Sequence, residues 1–187
     1  MKPFTEALKY EFDLTPESIV IDAGAHEGNW SHEIWTRYGC KIVALEPIPR
    51  YIHETFLRLA NTNATIIPMG LGGRSGVTAF HVHGAMSGEF SDGERQMVGM
   101  IGVATLLREI RRKIGCIKIN IEGGEYELLE CVLANGWADQ FENIIVQPHS
   151  VVQDFEARWK AIDDGLQKTH ELVFHESWCW SGYSLRK

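Results

Sequence analysis

Short runs rich in β-branched residues alternate along this chain with longer stretches in which apolar residues recur every three or four positions. The short runs predict strands, and the longer stretches predict helices that bury one face. Strands that alternate with helices are typical of a mostly parallel sheet covered by helices on both faces. The predicted fold class is therefore α/β, with strands at residues 18–22, 41–46, 65–68, 116–121 and 143–147.

Four helices are predicted from the recurrence of apolar residues. Gly39 and Gly136 are suitable helix stops, and Pro49 is a favourable first-turn residue. The buried faces are expected to contain, in chain order, Trp30, Ile34, Trp35 and Tyr38; Ile52, Phe56, Leu59 and Ala60; Tyr126, Leu129, Val132 and Leu133; and Phe155, Trp159, Ile162 and Leu166.

Two segments break the alternation. The pieces VTAFHVH and MVGMIGV look like strands, and the intervening GAMSGEFSDGE (residues 84–94) predicts a mobile loop because it is rich in glycine and serine. The C-terminal HELVFHESWCWSGYSLRK predicts an antiparallel hairpin that closes the sheet, with its turn near Ser181 and Gly182. No repeat or linker interrupts the chain, which predicts a single domain over residues 1–187.

Composition narrows the possible functions. The net charge of −7 argues against a general nucleic-acid binder. No stretch approaches the roughly 18 apolar residues of a transmembrane helix, and MKPFTEALKYEF lacks the apolar core of a signal peptide. We therefore expect a cytoplasmic protein with no membrane or nucleic-acid partner. The basic cluster Arg108, Arg111, Arg112 and Lys113 is interpreted as a solvated helix face, with contact to an anionic partner as the less favoured alternative.

The segment IVIDAGAHEGNW predicts the strand, glycine turn and helix start with which α/β proteins hold nucleotide-like ligands. Gly24 and Gly28 lack the intermediate glycine of G-x-G-x-x-G, and no lysine follows them as in a P-loop. Asp22 and Glu27 make the turn acidic, which disfavours a phosphate. S-adenosylmethionine fits better, because it has an adenosine, a cationic sulfonium and an ammonium group but no phosphate.

Acidic residues lie at the carboxyl ends of the predicted strands, where such folds build their sites. Asp22 is expected to receive the ammonium end of S-adenosylmethionine, directly or through water. Glu46 ends the second strand, where α/β nucleotide folds commonly place an acid that accepts the ribose hydroxyls. Glu122 and Glu125 follow the strand CIKINI, and Gly24 would let the backbone approach the ligand closely.

Three blocks in order resemble the FkbM-type family of class I S-adenosylmethionine-dependent methyltransferases. VIDAGAHEG resembles V-x-D-x-G-A-N-x-G, ALEPIP resembles A-x-E-P-x-P, and KINIEGGE resembles K-I-D-x-E-G-x-E. With IIVQPHS and LQKTHELVFHESWCW, the resemblance covers residues 18–180. It implies a Rossmann-like, seven-stranded sheet with an antiparallel last strand. It also implies S-adenosylmethionine as cofactor, S-adenosylhomocysteine as product, and O-methylation of a small-molecule or sugar-like acceptor.

The resemblance also implies where the cofactor lies. The glycine turn would wrap the methionine portion, with His26 in the usual asparagine position touching the carboxylate. Glu46 would bind the ribose, and two apolar residues would lie near the adenine. The implied cofactor-binding residues are Asp22, Gly24, Ala25, His26, Gly28, Glu46, Pro47, Leu71 and Asn120.

The chain departs from the family at Asn120, where an aspartate is usual beside the methyl group to be transferred. An amide cannot act as a general base and is a poor ligand for hard metals. His81 and His83 share a strand face without a third ligand nearby, so no metal site is predicted. The short segment before the first strand leaves little material for a lid. A large acceptor, or the second subunit of a homodimer, is expected to complete the pocket.

Methyl transfer to a hydroxyl requires an aligned acceptor and the removal of its proton. His149 follows the predicted fifth strand, should face the cleft, and is the first candidate base. Glu122 is the second candidate, and a structural role is an equal alternative for each. The sequence thus predicts an O-methyltransferase. A protein that binds S-adenosylmethionine but has lost catalysis remains open, and a nicotinamide-dependent oxidoreductase is less favoured.

Overall fold

A computed structural model of the chain describes residues 3–82, 88 and 93–187. Its strands are β1 (Ile19–Ala23), β2 (Lys41–Leu45), β3 (Thr65–Ile67), β4 (Gly70–Gly72), β5 (Gly76–Val82), β6 (Glu94–Gly102), β7 (Cys116–Ile119), β8 (Asn143–Val146), β9 (His170–Glu176) and β10 (Trp180–Leu185). Seven of them form the main sheet in the order β3-β2-β1-β7-β8-β10-β9. In this sheet β10 runs antiparallel to both β8 and β9, and all the other strand pairs are parallel, which confirms the predicted fold class.

Helices cover both faces of the main sheet: α1 (Asn29–Tyr38), α2 (Pro49–Leu59), α3 (Val103–Ile110), α4 (Glu125–Ala134) and α5 (Phe155–Leu166). Because successive side chains of a strand point to opposite faces, Val20 joins the core beneath α1, and Ile21 joins the core beneath α4 and α5. Burial on both sides explains the nearly continuous apolar runs of the parallel strands. In residues 3–82, 88 and 93–187, no helix is long and apolar enough to cross a membrane.

The buried face of α2 differs from the prediction. Tyr51, Thr55 and Leu59 face the core, whereas Phe56 is 52% exposed and Ala60 is exposed. A threonine can be buried here because its hydroxyl hydrogen-bonds to the carbonyl oxygens of Tyr51 and of His26 in the glycine turn. The predictions for Phe56 and Ala60 were wrong because hydropathy ranks threonine below both residues and takes no account of a hydroxyl that is hydrogen-bonded within the core.

A smaller sheet with the strand order β4-β6-β5 lies between β3 and α3 in the chain. It confirms the two predicted strand-like pieces and adds β4. Val98 of β6 packs against Ile48 and Tyr51 at the start of α2, which brings this sheet beside the carboxyl edge of the main sheet. His83 and most of residues 84–94 lie outside the described residues, so the loop predicted there remains a prediction.

The C-terminal hairpin is confirmed, but its turn lies earlier than predicted. The chain reverses at residues 177–179, where Trp178 has a positive φ of 55° and the Cys179 N–H donates to the Glu176 carbonyl over 3.0 Å. Gly182 instead lies within β10, where a Cβ would come 2.2 Å from the Phe174 ring. This glycine was mistaken for a turn residue because its real role is to admit a neighbouring aromatic ring.

Candidate active site

A cavity of about 320 Å³ opens at the carboxyl ends of β1, β2 and β7. Eight of the sequence-predicted site residues line it: Gly24, Ala25, His26, Glu46, Pro47, Leu71, Asn120 and Glu122. Three others, Asp22, Gly28 and His149, are not part of its wall. The cavity therefore brings together most of the predicted residues and excludes two to which a direct chemical role was assigned.

The glycine turn is pressed against the end of β7. Gly24 has a φ of +78°, and a Cβ at this position would lie 2.1 Å from the Asn120 carbonyl oxygen. The N–H groups of Gly24 and Ala25 both donate to the Leu45 carbonyl at the end of β2. Gly28, with a φ of +77°, immediately precedes α1. These contacts require glycine at position 24 and hold three strand ends around one cleft.

Asp22 lies behind the cleft, with a fully buried carboxylate. Its Oδ1 accepts a hydrogen bond from the Lys118 ammonium over 2.9 Å, and its Oδ2 accepts one from the Ser31 hydroxyl over 2.7 Å. Lys118 also donates to the Gly24 carbonyl over 2.7 Å and lines the cleft. This geometry does not support Asp22 as the group that receives the ligand's ammonium. The cleft meets the cation of the pair rather than the carboxylate.

Glu46 is almost fully buried at the cleft wall. Its two oxygens accept hydrogen bonds from the N–H groups of His26 (2.8 Å) and Ile48 (2.9 Å). Burial raises the pKa of Glu46 to about 7, although these two donors and Lys118 act in the opposite direction. Each carboxylate oxygen retains a lone pair, so Glu46 can still accept hydrogen bonds from a ligand.

His26 adopts a left-handed backbone conformation with a φ of 52°. Its ring packs against Tyr51, with 4.0 Å between the two ring centroids. The Nε2 atom is buried and has no hydrogen-bond partner among the described residues. Buried polar atoms are rarely left unpaired in native proteins, so this nitrogen marks a place where a ligand can make a hydrogen bond.

Asn120 and Glu122 form the wall after β7. The Asn120 N–H donates to the Ala23 carbonyl, which fixes the residue beside the glycine turn, while its Oδ1 is buried and unpartnered within the described part of the chain. Glu122 has a φ of 52°, an uncommon conformation for a residue other than glycine, and Gly123 follows with a φ of 104°. The side chains of Asn120 and Glu122 thus both present hydrogen-bond acceptors at the cleft.

His149 bridges two carboxylates. Its Nδ1 lies 3.0 Å from Oε1 of the fully buried Glu125, and its Nε2 lies 3.3 Å from Oε1 of Glu122. Burial opposes the charged ring, but the hydrogen bonds and charges of Glu122 and Glu125 outweigh it and raise the pKa of His149 to about 9. At neutral pH the ring is an imidazolium without a free lone pair, which does not support the prediction of a general base.

Part of the remaining wall comes from the N-terminal segment, which the sequence did not indicate as a source of pocket residues. A 3-10 helix at Glu6–Tyr10 places Lys9 and Tyr10 at the cavity, held there by a 2.9 Å hydrogen bond from Trp30 Nε1 to the Lys9 carbonyl. The Lys9 ammonium lies 4.9 Å from the Trp180 ring centroid, and Trp180 also lines the cavity. The short N-terminal segment therefore contributes to the pocket in spite of its length.

Two other groups lie apart from the cleft. Arg112 of the basic cluster donates to the Glu17 carbonyl, just before β1, which puts it at the amino edge of the sheet, opposite the cavity. Within residues 3–82, 88 and 93–187, no three or more His, Cys, Asp or Glu side chains are grouped in a way that could hold a metal ion. His83 is outside these residues, so its pairing with His81 is not described.

Residues 22–174 match the methyltransferase FkbM domain. No curated protein matches the chain in sequence. Many solved structures share its fold, including three at sequence identities that indicate the fold alone. They are an rRNA methylase from Streptococcus thermophilus (TM-score 0.55, 15% identity, 93% of this chain and 90% of that chain covered), a precorrin-6y C5,15-methyltransferase from Geobacter metallireducens GS-15 (0.55, 12%, 97% and 87%) and a fibrillarin/Nop5p complex (0.56, 13%, 93% and 74%). The chain belongs to the FkbM family and is an S-adenosylmethionine-dependent methyltransferase with the class I fold.

Proposed function

We propose that this protein methylates a hydroxyl oxygen of a small, non-anionic molecule such as a sugar-like acceptor. The observation that carries the proposal is the pair of hydrogen-bond acceptors after β7, namely the unpartnered Oδ1 of Asn120 and the carboxylate of Glu122. A buried acceptor left without a donor costs about 1–3 kcal/mol, so a ligand that donates a hydrogen bond is favoured at this wall. A hydroxyl group is such a donor.

The residues around the cavity fit S-adenosylmethionine. Glu46 has free lone pairs for the ribose hydroxyls, and Pro47 and Leu71 offer apolar surface for the adenine. The unpartnered Nε2 of His26 and the turn at Gly24 leave polar contacts for the methionine portion. When bound, S-adenosylmethionine supplies a methyl carbon that is activated by its sulfonium.

We assign proton removal to Glu122 rather than to His149. Glu122 lines the cavity and can accept the hydroxyl proton at its carboxylate, whereas the His149 ring lies outside the wall with both nitrogens directed at carboxylates. His149 then acts as a positioning residue that holds Glu122 at the wall. Asn120 contributes by accepting a hydrogen bond and not by taking a proton.

The charges around the cavity support a small acceptor without phosphates. Within the described residues, two lysines line it against four glutamates, namely Glu27, Glu46, Glu122 and Glu127. The lysines are paired with Glu6 and Asp22, and Glu122 and Glu127 are paired with His149 and Arg74, so the acidic side chains remain in excess at the wall. The basic cluster that could attract a nucleic acid lies at the opposite edge of the sheet. We therefore keep a small-molecule acceptor as the proposed partner, with neither a nucleic acid nor a membrane surface. A homodimer that completes the acceptor pocket also remains a proposal.

A second candidate function is favoured by Asn120, which replaces the usual aspartate of the family. In that case the protein binds S-adenosylmethionine without transferring its methyl group. The two candidates differ in one result, because both bind S-adenosylhomocysteine but only the first yields a methylated product.

The test is transfer of a labelled methyl group from S-adenosylmethionine to a panel of sugars, phenols and other hydroxyl compounds, with amine analogues of the same shape. NMR of the product identifies the methylated atom. We expect an O-methyl product, and Glu122→Gln should lower kcat by about 100-fold. The affinity of that variant for S-adenosylhomocysteine should stay within about threefold of wild type, a difference below 1 kcal/mol.

Glu109→Gln is the matched control, because Glu109 is exposed on α3 and does not line the cavity. It should leave both kcat and affinity unchanged. An N-methyl product would contradict the proposed acceptor class. Tight cofactor binding with no transfer to any acceptor would favour the second candidate.

A further inference from the structure

The floor of the cleft contains a lysine that still has a donor to offer. The Lys118 ammonium carries three N–H groups, and it donates to Asp22 Oδ1 (2.9 Å) and to the Gly24 carbonyl (2.7 Å). Within the part of the chain that the structure describes, no third acceptor receives a hydrogen bond from it. Lys118 also lines the cavity, although its side chain is only 8% exposed.

The carboxylate partner of this lysine is closed to a ligand. Both Asp22 oxygens are already bonded, one to Lys118 and one to Ser31, and no part of the residue is exposed. A ligand that reaches this part of the floor therefore meets a hydrogen-bond donor with a positive charge. The ligand group that fits there is an anionic acceptor and not an ammonium.

Lys9 is the second lysine among the described residues that line the cavity, and it is a weaker candidate for such a group. Its ammonium forms an ion pair with Glu6 and lies over the Trp180 ring, on the wall formed by the N-terminal segment. Lys118, in contrast, contacts the glycine turn itself through the Gly24 carbonyl. Of these two lysines, Lys118 is the one whose ammonium donates a hydrogen bond to the glycine turn within the part of the chain that the structure describes.

We propose that Lys118 binds the carboxylate of the cofactor's methionine portion and so sets the direction in which that portion lies. The inference rests on the proposed use of S-adenosylmethionine in this cleft. It reverses the polarity that the sequence indicated, since the floor then holds the carboxylate end through Lys118 instead of the ammonium end through Asp22.

The test compares two ligands by isothermal titration calorimetry. One is S-adenosylhomocysteine, and the other is 5′-S-(3-aminopropyl)-5′-thioadenosine, which lacks only the carboxylate. Asp22→Asn is compared with Asp22→Asn/Lys118→Met, so that the two proteins differ only at position 118 and neither contains an unpaired buried carboxylate. Circular dichroism and thermal unfolding establish that both proteins are folded.

Loss of Lys118 should weaken S-adenosylhomocysteine binding by about 10- to 100-fold, as expected for one hydrogen bond between charged groups. Binding of the analogue should change by less than about threefold, because it makes no such bond. Lys9→Met, made in wild type, is the matched lysine control and should leave the preference between the two ligands unchanged.

An equal loss for both ligands would overturn the inference, because Lys118 would then only support the fold of the floor. If the preference for S-adenosylhomocysteine over the analogue is lost in Lys9→Met and not in the Lys118 variant, the ligand's carboxylate is bound by Lys9. That result would also overturn the inference. If wild type itself binds no S-adenosylhomocysteine, the proposed cofactor site fails before any variant is compared, and this inference fails with it.

Discussion

Two clusters of charged side chains lie at neighbouring strand ends beside the cleft and neutralise their carboxylates in different ways. In the first, Asp22 of β1 is neutralised by Lys118 of β7, with a hydrogen bond from Ser31. In the second, one imidazole, His149, lies between the carboxylates of Glu122 and Glu125. The first cluster has one cation for each carboxylate, whereas the second has one cation for two.

This difference decides what each cluster can do. In the first cluster both Asp22 oxygens already accept hydrogen bonds and the carboxylate is fully buried, so only Lys118 can interact with a ligand. The second has an excess of negative charge that keeps the imidazole protonated and leaves Glu122 at the cavity wall. A sequence places acids at both strand ends, but only the cations brought to them in the fold determine which acid is available for chemistry.

The largest effect is expected from breaking the first cluster. Lys118→Met leaves the Asp22 carboxylate buried without a counter-charge, which should lower the free energy of unfolding by about 3–5 kcal/mol. The double variant Lys118→Met/Asp22→Asn should recover most of this loss, because no charge remains to be buried. Urea unfolding of both variants and wild type measures the difference. Equal destabilisation of the single and double variants would mean that packing, and not charge, holds this cluster.

The second cluster should respond to pH. The pKa of His149 in the folded protein, about 9, lies above its ordinary value of 6.5. The stability that the protonated ring contributes, about 3 kcal/mol from a shift of this size, is therefore complete below about pH 6.5 and is lost as the pH rises through about 9. The difference in unfolding free energy between wild type and His149→Gln should shrink over that range.

Chemical denaturation from pH 6 to pH 10 measures this difference, with the exposed His53→Gln as control. A gap between wild type and His149→Gln that stays constant with pH would contradict the bridged imidazolium. A gap that closes already between pH 6 and pH 7 would indicate an ordinary histidine.

A smaller loss of stability is expected when the hydrogen bond from Ser31 to Asp22 is removed from the first cluster. Ser31→Ala removes one hydrogen bond to the buried Asp22 carboxylate and should lower the free energy of unfolding by about 2 kcal/mol. Ser177→Ala is the control, because Ser177 is exposed and its hydroxyl makes only a 3.4 Å contact with His175. A loss in Ser31→Ala no larger than that in the control would show that Lys118 alone stabilises Asp22.

The sequence predicted the main sheet well because its parallel strands are buried on both faces and leave continuous apolar runs. The sequence-based predictions failed where the choice of a residue depends on a partner that is distant in the chain. Thr55 is buried because its hydroxyl reaches the His26 carbonyl, and Gly182 is required by the ring of Phe174 rather than by a turn. Neither partner adjoins these residues in the sequence.

In the candidate site too, residues within motifs were predicted correctly, and contacts between distant parts of the chain were not. Gly24, Glu46 and Asn120 line the cavity as their positions in the motifs indicated. The partners that determine their chemistry come from far along the chain, since Lys118 is 96 positions from Asp22 and Lys9 is 21 positions from Trp30. A single sequence carries no signal for such pairs, which is why Asp22 and His149 were assigned roles that the geometry does not support.

The most direct test of a cofactor site in this cleft is the calorimetric titration of S-adenosylhomocysteine into wild type and Glu46→Gln at pH 6 and pH 8. Burial raises the pKa of Glu46 to about 7, and ribose hydroxyls bind best to the ionised carboxylate. Wild type should therefore bind about tenfold more tightly at pH 8 than at pH 6. Glu46→Gln should bind weakly at both values without this dependence. No binding by wild type, or the same pH dependence in the variant, would contradict a cofactor held by Glu46 in this cleft.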